Sequence, residues 1–288
     1  MITTLVILAA GMGSRFGGDK QLAQLGPNGE TLLELSLLSA VAAGFDQAVL
    51  VIRPELEAEL RQRLAVIIPS QFVIHYCYQA LTDLPLALPA ALAARQKPWG
   101  TAHALWSARA LIDGPMAVIN ADDYYGDHAF EMLVQGLTKQ KEEWMMVAYP
   151  LHLTLSEHGG VNRGVCQVAQ GYLTHVDEYL QIKQTAQGLY GELHGQLLPL
   201  TDNTLVSMTC WGFTSAIFTA IEQALIEFIQ APSTGITSEC YLPAVVQQQL
   251  DKKAQLLRVE VSQSPWFGVT YADDADWVKQ QLSELQGE

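Results

Sequence analysis

Four glycines, an arginine and a lysine crowd into one short stretch directly after an apolar run: Leu8-Ala9-Ala10-Gly11-Met12-Gly13-Ser14-Arg15-Phe16-Gly17-Gly18-Asp19-Lys20. This composition suits an anion. Glycine lets backbone N–H groups turn toward phosphate oxygens with no Cβ in the way, Arg15 can grip a phosphate with two donors, and Lys20 can neutralise developing charge. The common phosphate motifs do not fit. A Walker A loop needs lysine directly after its distal glycine and then Ser or Thr, but Asp19 follows Gly18 and Gln21 follows Lys20. A dinucleotide fingerprint starting at Gly11 needs glycine or alanine at position 16, which is Phe16. The competing reading is a turn whose glycines serve the backbone alone.

A second chemical signal is an apolar run, Met116-Ala117-Val118-Ile119-Asn120-Ala121, that leads straight into Asp122 and Asp123. Carboxylates are the usual protein ligands of Mg²⁺, which takes its remaining positions from water and substrate phosphates. Acids at a helix start are the structural alternative, because Asp is favourable there anyway. Gln79 closes a further strand-like run, and Pro98-Trp99-Gly100-Thr101-Ala102-His103-Ala104 is a turn entering a helix-compatible stretch. Their bland readings are a solvated strand end and a plain helix start.

The elements that must hold these residues read as alternating strands and helices. Strand-like runs fall at 4–10, 48–52, 72–78, 116–121 and 145–149, with further strands at 164–176 and 205–213. Helices are expected over 54–64, 101–112, 128–137, 215–229, 239–250 and 273–285, and Thr31 with Glu34 forms a capping-box spacing ahead of a helix that ends at Gly44. The alternation predicts an α/β fold, Rossmann-like, with a mainly parallel mixed sheet and helices on both faces. In such sheets ligands gather at the carboxyl ends of strands, where Gly11, Gln79 and Asp122 all fall.

Composition bounds the function. The chain has 288 residues, 49% hydrophobic and 16% charged, enough to bury a large core, and no Pro/Ser-rich linker or charge block divides it. One domain over 1–288 is expected, with a nucleotide part to about residue 126 and an acceptor part from 127 onward. A net charge of −14 disfavours nucleic acid and anionic membrane as partners, yet leaves room for small phosphorylated ligands. Cys77, Cys166, Cys210 and Cys240 are scattered, with no C-x-x-C pair, and read as packed, reduced thiols. No basic leader precedes the apolar run at 5–10, so a cytoplasmic location is expected, and homo-oligomerisation stays open.

Together, L-A-A-G followed by G-x-x-R and a lysine, the strand-end Gln79, the P-x-G-x-A-x-A turn and the strand-end Asp122 resemble the nucleotidylyltransferase superfamily, most of all the sugar-1-phosphate nucleotidylyltransferases. That resemblance implies a GT-A-like fold and an Mg²⁺-dependent enzyme that joins a nucleoside triphosphate to a phosphorylated acceptor and releases pyrophosphate. It implies that Ala9, Ala10, Gly11, Gly13 and Ser14 wrap the triphosphate, with Arg15 on the departing pyrophosphate and Lys20 at the phosphorus under attack. Gln79, Gly100 and Thr101 would meet the base, and Asp122 the metal, with Asp123 supporting it or capping the turn. Glu178 and Lys183 fall where the family places a Glu on sugar hydroxyls and a Lys on the sugar phosphate, and 207–213 resembles the strand bordering that pocket. Asn162 or Arg163 could contact the acceptor, with an ordinary surface loop as the alternative. One departure stands out: where the family's W-x-D-x-G-T carries a second metal acid, this chain has Gly268. His103 reads as a helix-face residue, neither acid nor base. The rivals are a non-sugar acceptor such as an alditol or amino-alcohol phosphate, a glycosyltransferase using a nucleotide sugar, and a non-catalytic nucleotide-binding regulator.

Overall fold

The computed structural model describes residues 2–11, 22–139, 142–156, 159–268 and 274–286. Strand β1 (Thr4–Leu8) is buried along its whole length, as a continuous apolar run must be when helices cover both faces of a sheet. It alternates sides: Leu5 and Ile7 join one core cluster, Val6 and Leu8 the other. Helix α1 (Leu32–Ala43) begins at the reciprocal capping box of Thr31 and Glu34 and ends at Gly44 with φ of 93°, so both signals read from the sequence are realised. It leads to β2 (Gln47–Ile52), a 3₁₀ turn at Pro54–Leu56, α2 (Glu57–Ile67) and β3 (Val73–Tyr78). Helix α3 (Thr101–Ser107) is shorter than the expected 101–112, because Ala108 breaks it into a separate 3₁₀ turn at Arg109–Leu111.

Next come β4 (Met116–Asn120), β5 (Asp123–Tyr124), α4 (Asp127–Lys139) and β6 (Trp144–Pro150). The strand expected at 164–176 is in fact two, β7 (Val161–Ala169) and β8 (Tyr172–Thr185), paired antiparallel. Gln170 and Gly171, at φ of 53° and 82°, turn the chain between them. The same device, His194 and Gly195 at 51° and 79°, joins β9 (Gly188–Leu193) to β10 (Gln196–Leu200), neither of which was expected. Both turns put a residue other than Asn or Asp ahead of the glycine, so the usual hairpin signature is missing. Then follow β11 (Leu205–Phe213), α5 (Ala216–Gln230), α6 (Leu242–Asp251), β12 (Leu257–Val261), β13 (Phe267–Gly268) and α7 (Asp274–Gln286). Helix α6 starts later than the expected 239 because a proline sits in its first turn, where no N–H is needed.

Eleven strands among the described residues form one sheet in the order β10-β9-β8-β12-β6-β11-β4-β1-β2-β3, with β7 bridging β11 and β8. The run β4-β1-β2-β3 is wholly parallel; around β11 and the β7–β10 extension the pairing is mostly antiparallel. The fold is thus the expected α/β mixed sheet, but among the described residues its pairings are more often antiparallel than parallel, because β11 runs against its neighbours and β7–β10 add hairpins. Residues of α1, α2 and α4 fill the core on one face, and those of α3, α5 and α6 fill the other.

Candidate functional site

Parallel pairing builds the site from the backbone outward. Leu8 stands opposite Asn120 in the β1–β4 register, and the Ala121 N–H donates to the Leu8 carbonyl at 3.2 Å. On the other side the Ala9 N–H donates to Val51 O at 2.8 Å. Ala9 and Ala10 are therefore buried in the sheet edge, Gly11 emerges exposed, and Asp122 leaves the neighbouring strand half-buried one residue past Ala121. Gly11 and the strand-end acids thus follow the ends of two paired strands. Gly13, Ser14, Arg15 and Lys20 lie outside the described residues.

Asp123 is buried and held. Its Oδ2 accepts from Asn120 Nδ2 at 2.9 Å and lies 3.1 Å from the Tyr125 hydroxyl. That hydroxyl accepts from the Asn120 N–H at 3.0 Å and lies 3.0 Å from Met208 O and 3.2 Å from Thr209 O, where β11 bulges and Thr209 takes φ of 56°. Bulges of this kind re-aim chain near sites. Asp123 also pairs with Gly268 across β5 and β13, and a Cβ on Gly268 would lie 2.8 Å from Asp123 Oδ1. The carboxylate beside the position of the missing second acid is therefore Asp123, which the sequence reading had left between support and turn cap. Among the described residues no three His, Cys, Asp or Glu side chains cluster as a metal cage. Mg²⁺ needs only one or two carboxylates plus substrate phosphates, so Asp122 and Asp123 fit it.

Gln79 follows β3 at the same edge of the sheet. Its side-chain nitrogen lies 3.0 Å from the Gly100 carbonyl and 3.2 Å from His103 Nδ1. His103 is not a surface residue of its helix: it is fully buried, with Nε2 2.6 Å from the Asp83 carbonyl, and burial pushes its pKa below the usual imidazole value. Gly100 has φ of 103°, and a Cβ there would sit 2.5 Å from Cys240 O. Glycine is thus required by the backbone whatever ligand lies above it. The Thr101 hydroxyl accepts from Leu242 N–H at 2.9 Å, tying the start of α3 to the start of α6.

The second half contributes Arg163, half-buried on β7. It donates to Thr154 Oγ1 at 3.3 Å, Thr154 O at 2.5 Å and Asn162 O at 2.8 Å, and its guanidinium stands 4.8 Å over the Trp266 ring. Burial lowers its pKa to about 10, against the opposing fields of Asp123 and Glu178, so it stays charged at neutral pH. Glu178 lies opposite Gly164 in the β7–β8 register, and a Cβ on that glycine would press on Val176 at 3.0 Å. Desolvation by neighbouring protein raises the Glu178 pKa although the residue is exposed. Arg163 only partly offsets that rise.

Asn162 is exposed and accepts from Gln181 N–H at 2.9 Å, securing a β8 bulge where Gln181 has φ of 50°. Lys183 lies beyond that bulge, exposed and opposite Tyr190 of β9, about 15 Å along the strand from Glu178. The structure gathers Arg163, Glu178 and Asp123 but not Lys183. Sequence reasoning missed Tyr241, whose phenol is raised to about 12 by its hydrogen bond to Glu239, then by burial and by the Glu239 and Glu178 charges. Lys97 pairs with the same Glu239 at 3.0 Å. Nothing in the local sequence joins Lys97 and Tyr241 to Glu178.

Gly11, the acid pair and the Gln79 amide thus stand at the carboxyl ends of parallel strands, where open α/β sheets receive ligands. Residues 5–75 match the model of the MobA-like NTP transferase domain. The whole fold is similar to a UDP-glucose pyrophosphorylase from Acinetobacter baumannii, at 14% identity and TM-score 0.61, over 98% of this chain and 93% of that one. It is similar to the inositol-1-phosphate CTP transferase from T. maritima, at 13% identity and TM-score 0.65, over 99% and 96%. A UDP-glucose pyrophosphorylase complexed with UDP-glucose gives 17% identity and TM-score 0.64, over 99% and 100%. No curated protein matches the sequence. The resemblance to nucleotidyltransferases drawn from the sequence thus holds at two levels, in the family model over the first strands and in the architecture of the full chain. No helix among the described residues is long and apolar enough to cross a membrane.

Proposed function

We propose that this chain is a nucleotidyltransferase that moves a nucleoside monophosphate from a triphosphate to a phosphorylated acceptor, a sugar 1-phosphate in the first instance, and releases pyrophosphate. The observation that supports the reading is the β1–β4 register, which sets Leu8 opposite Asn120 so that Gly11 and Asp122 follow the ends of neighbouring parallel strands. An acceptor phosphate oxygen, already anionic at neutral pH, attacks the α-phosphorus in line as the bond to pyrophosphate breaks. No proton must be removed, and His103, buried and neutral, is not asked to act as a base. Nor is a cysteine nucleophile: burial raises Cys77 and Cys166 to about 12 and Cys240 to about 11, and lifts Cys210 further still.

Arg15 and Lys20 bind the triphosphate and balance charge on its oxygens. Asp122, with Asp123 beside it, would hold Mg²⁺, which supplies charge neutralisation on the phosphates. Arg163 meets the acceptor phosphate as a preorganised cation, and Glu178 accepts from its hydroxyls. A non-sugar acceptor is the second reading, supported by a likeness to the inositol-1-phosphate CTP transferase at TM-score 0.65, comparable with 0.61 and 0.64 for the pyrophosphorylases. The partners are small molecules, and a cytoplasmic location suits them.

The test is pyrophosphate release from each nucleoside triphosphate with Mg²⁺ and a panel of sugar, alditol and amino-alcohol phosphates. Lys20→Ala and Asp122→Ala should each lower kcat by about a hundredfold or more. Folded protein that releases no pyrophosphate with any pair would remove the proposal.

A further inference from the structure

Two bonds settle which way the Gln79 amide faces. The Asp83 carbonyl can only accept, so His103 Nε2, 2.6 Å from it, carries the ring proton. In the neutral ring Nδ1 then holds a lone pair. The Gln79 group 3.2 Å from Nδ1 and 3.0 Å from Gly100 O thus faces two acceptors at once. Only the NH₂ end can satisfy both; the flipped amide would set its oxygen against two lone pairs. The support behind His103 is rigid. Arg109 holds the Asp83 carboxylate through two bonds of 2.8 Å and lies 3.5 Å over the Trp106 ring, and Trp99 Nε1 donates to Leu81 O at 3.0 Å. Among the described residues nothing donates to Gln79 Oε1.

A glutamine free to turn can offer a base either a donor or an acceptor. This one has spent both its protons. We infer that His103 is a positioning residue for base selection: with the Gly100 carbonyl it locks Gln79 so that the amide oxygen alone meets the pairing edge of the nucleobase. The inference rests on the nucleotidyltransferase reading and narrows its substrate. A lone acceptor facing the centre of a pairing edge is matched by the ring N–H of uracil, thymine or guanine. Cytosine and adenine place a ring-nitrogen lone pair there, and a lone pair facing a lone pair leaves both unsatisfied.

The experiment is equilibrium binding of UTP, CTP, GTP and ATP to the full chain, with no acceptor present. UTP should bind about tenfold or more tightly than CTP, and if purine nucleotides bind, GTP should lead ATP. His103→Phe, which keeps the ring and loses both nitrogens, should shrink the UTP-to-CTP ratio to about twofold, and Gln79→Ala should do the same with no further loss when the two are combined. A merely structural role for His103 would weaken both nucleotides alike and leave the ratio intact. An unchanged ratio in folded His103→Phe, or a wild-type preference for CTP, would overturn the inference while leaving the nucleotidyltransferase reading standing. If no triphosphate binds, that reading falls and takes this one with it. Should His103→Phe not fold, the ¹⁵N shifts of the wild-type imidazole decide: a ring protonated at Nε2 is required, and one protonated at Nδ1 refutes the lock.

Discussion

The two halves of this molecule place their chemical groups by different means. In the first, the parallel run β4-β1-β2-β3 delivers Gly11, Asp122 and Gln79 to one edge because consecutive strand ends in such a sheet must lie side by side. In the second, Arg163 and Glu178 sit on an antiparallel extension, and what aims Arg163 is a set of contacts to Thr154 and Trp266 from elsewhere in the chain. A backbone register positions one set and side-chain packing the other. Backbone substitutions that disturb the first half should therefore act through fold and register, and removal of Arg163 in the second through the acceptor.

Gly100→Ala should break the comparison most forcefully. Its φ of 103° and the Cys240 backbone leave no room for a methyl, so the loss of unfolding free energy should be about 3 kcal/mol or more, read from denaturant midpoints. Arg163→Met comes next and should differ in kind: KM for the acceptor rises by about tenfold to a hundredfold while KM for the nucleotide stays near wild type. A matching rise in both would erase the division of labour. Thr31→Ala removes one partner of the α1 capping box and should cost about 1 kcal/mol of stability without moving either KM.

The smallest effects are the sharpest, because they have opposite signs. Arg109 holds the Asp83 carboxyl below its ordinary pKa, against a smaller effect of burial. Its stabilisation is present above the unfolded value and fades as pH falls through the folded one. Burial raises Glu178, so its native form keeps a proton longer than the unfolded chain, and stability declines as pH climbs from the ordinary carboxylate value through the raised one. Melting temperatures against pH should then show Asp83→Asn less stable than wild type at neutral pH and Glu178→Gln more stable, both differences shrinking in acid. Shifts of the same sign would refute the raised carboxyl of Glu178.

Legibility follows the same divide. The α1 cap, the strand runs at 4–10 and 116–121, which end in the structure at Leu8 and Asn120, and the strand at 205–213 could be read directly, since each rests on local pattern or propensity. The β7–β8 and β9–β10 hairpins could not, because Gln170-Gly171 and His194-Gly195 carry the positive φ values without the Asn or Asp that announces them. His103 looked like an ordinary helical position because nothing within its own turn reveals that Asp83 and Gln79 close over it.

What the sequence determined alone was chemistry laid out along the chain: a glycine and cation segment after one buried strand, acids after another, an amide after a third. Side-chain type and strand periodicity are local properties, and they suffice for that. Tertiary structure decided which groups meet and in what state. The pairing of Gly268 with Asp123, the orientation of the Gln79 amide and the lowered pKa of Arg163 all depend on residues distant in the chain, whose approach and exclusion of water only the packed fold can set.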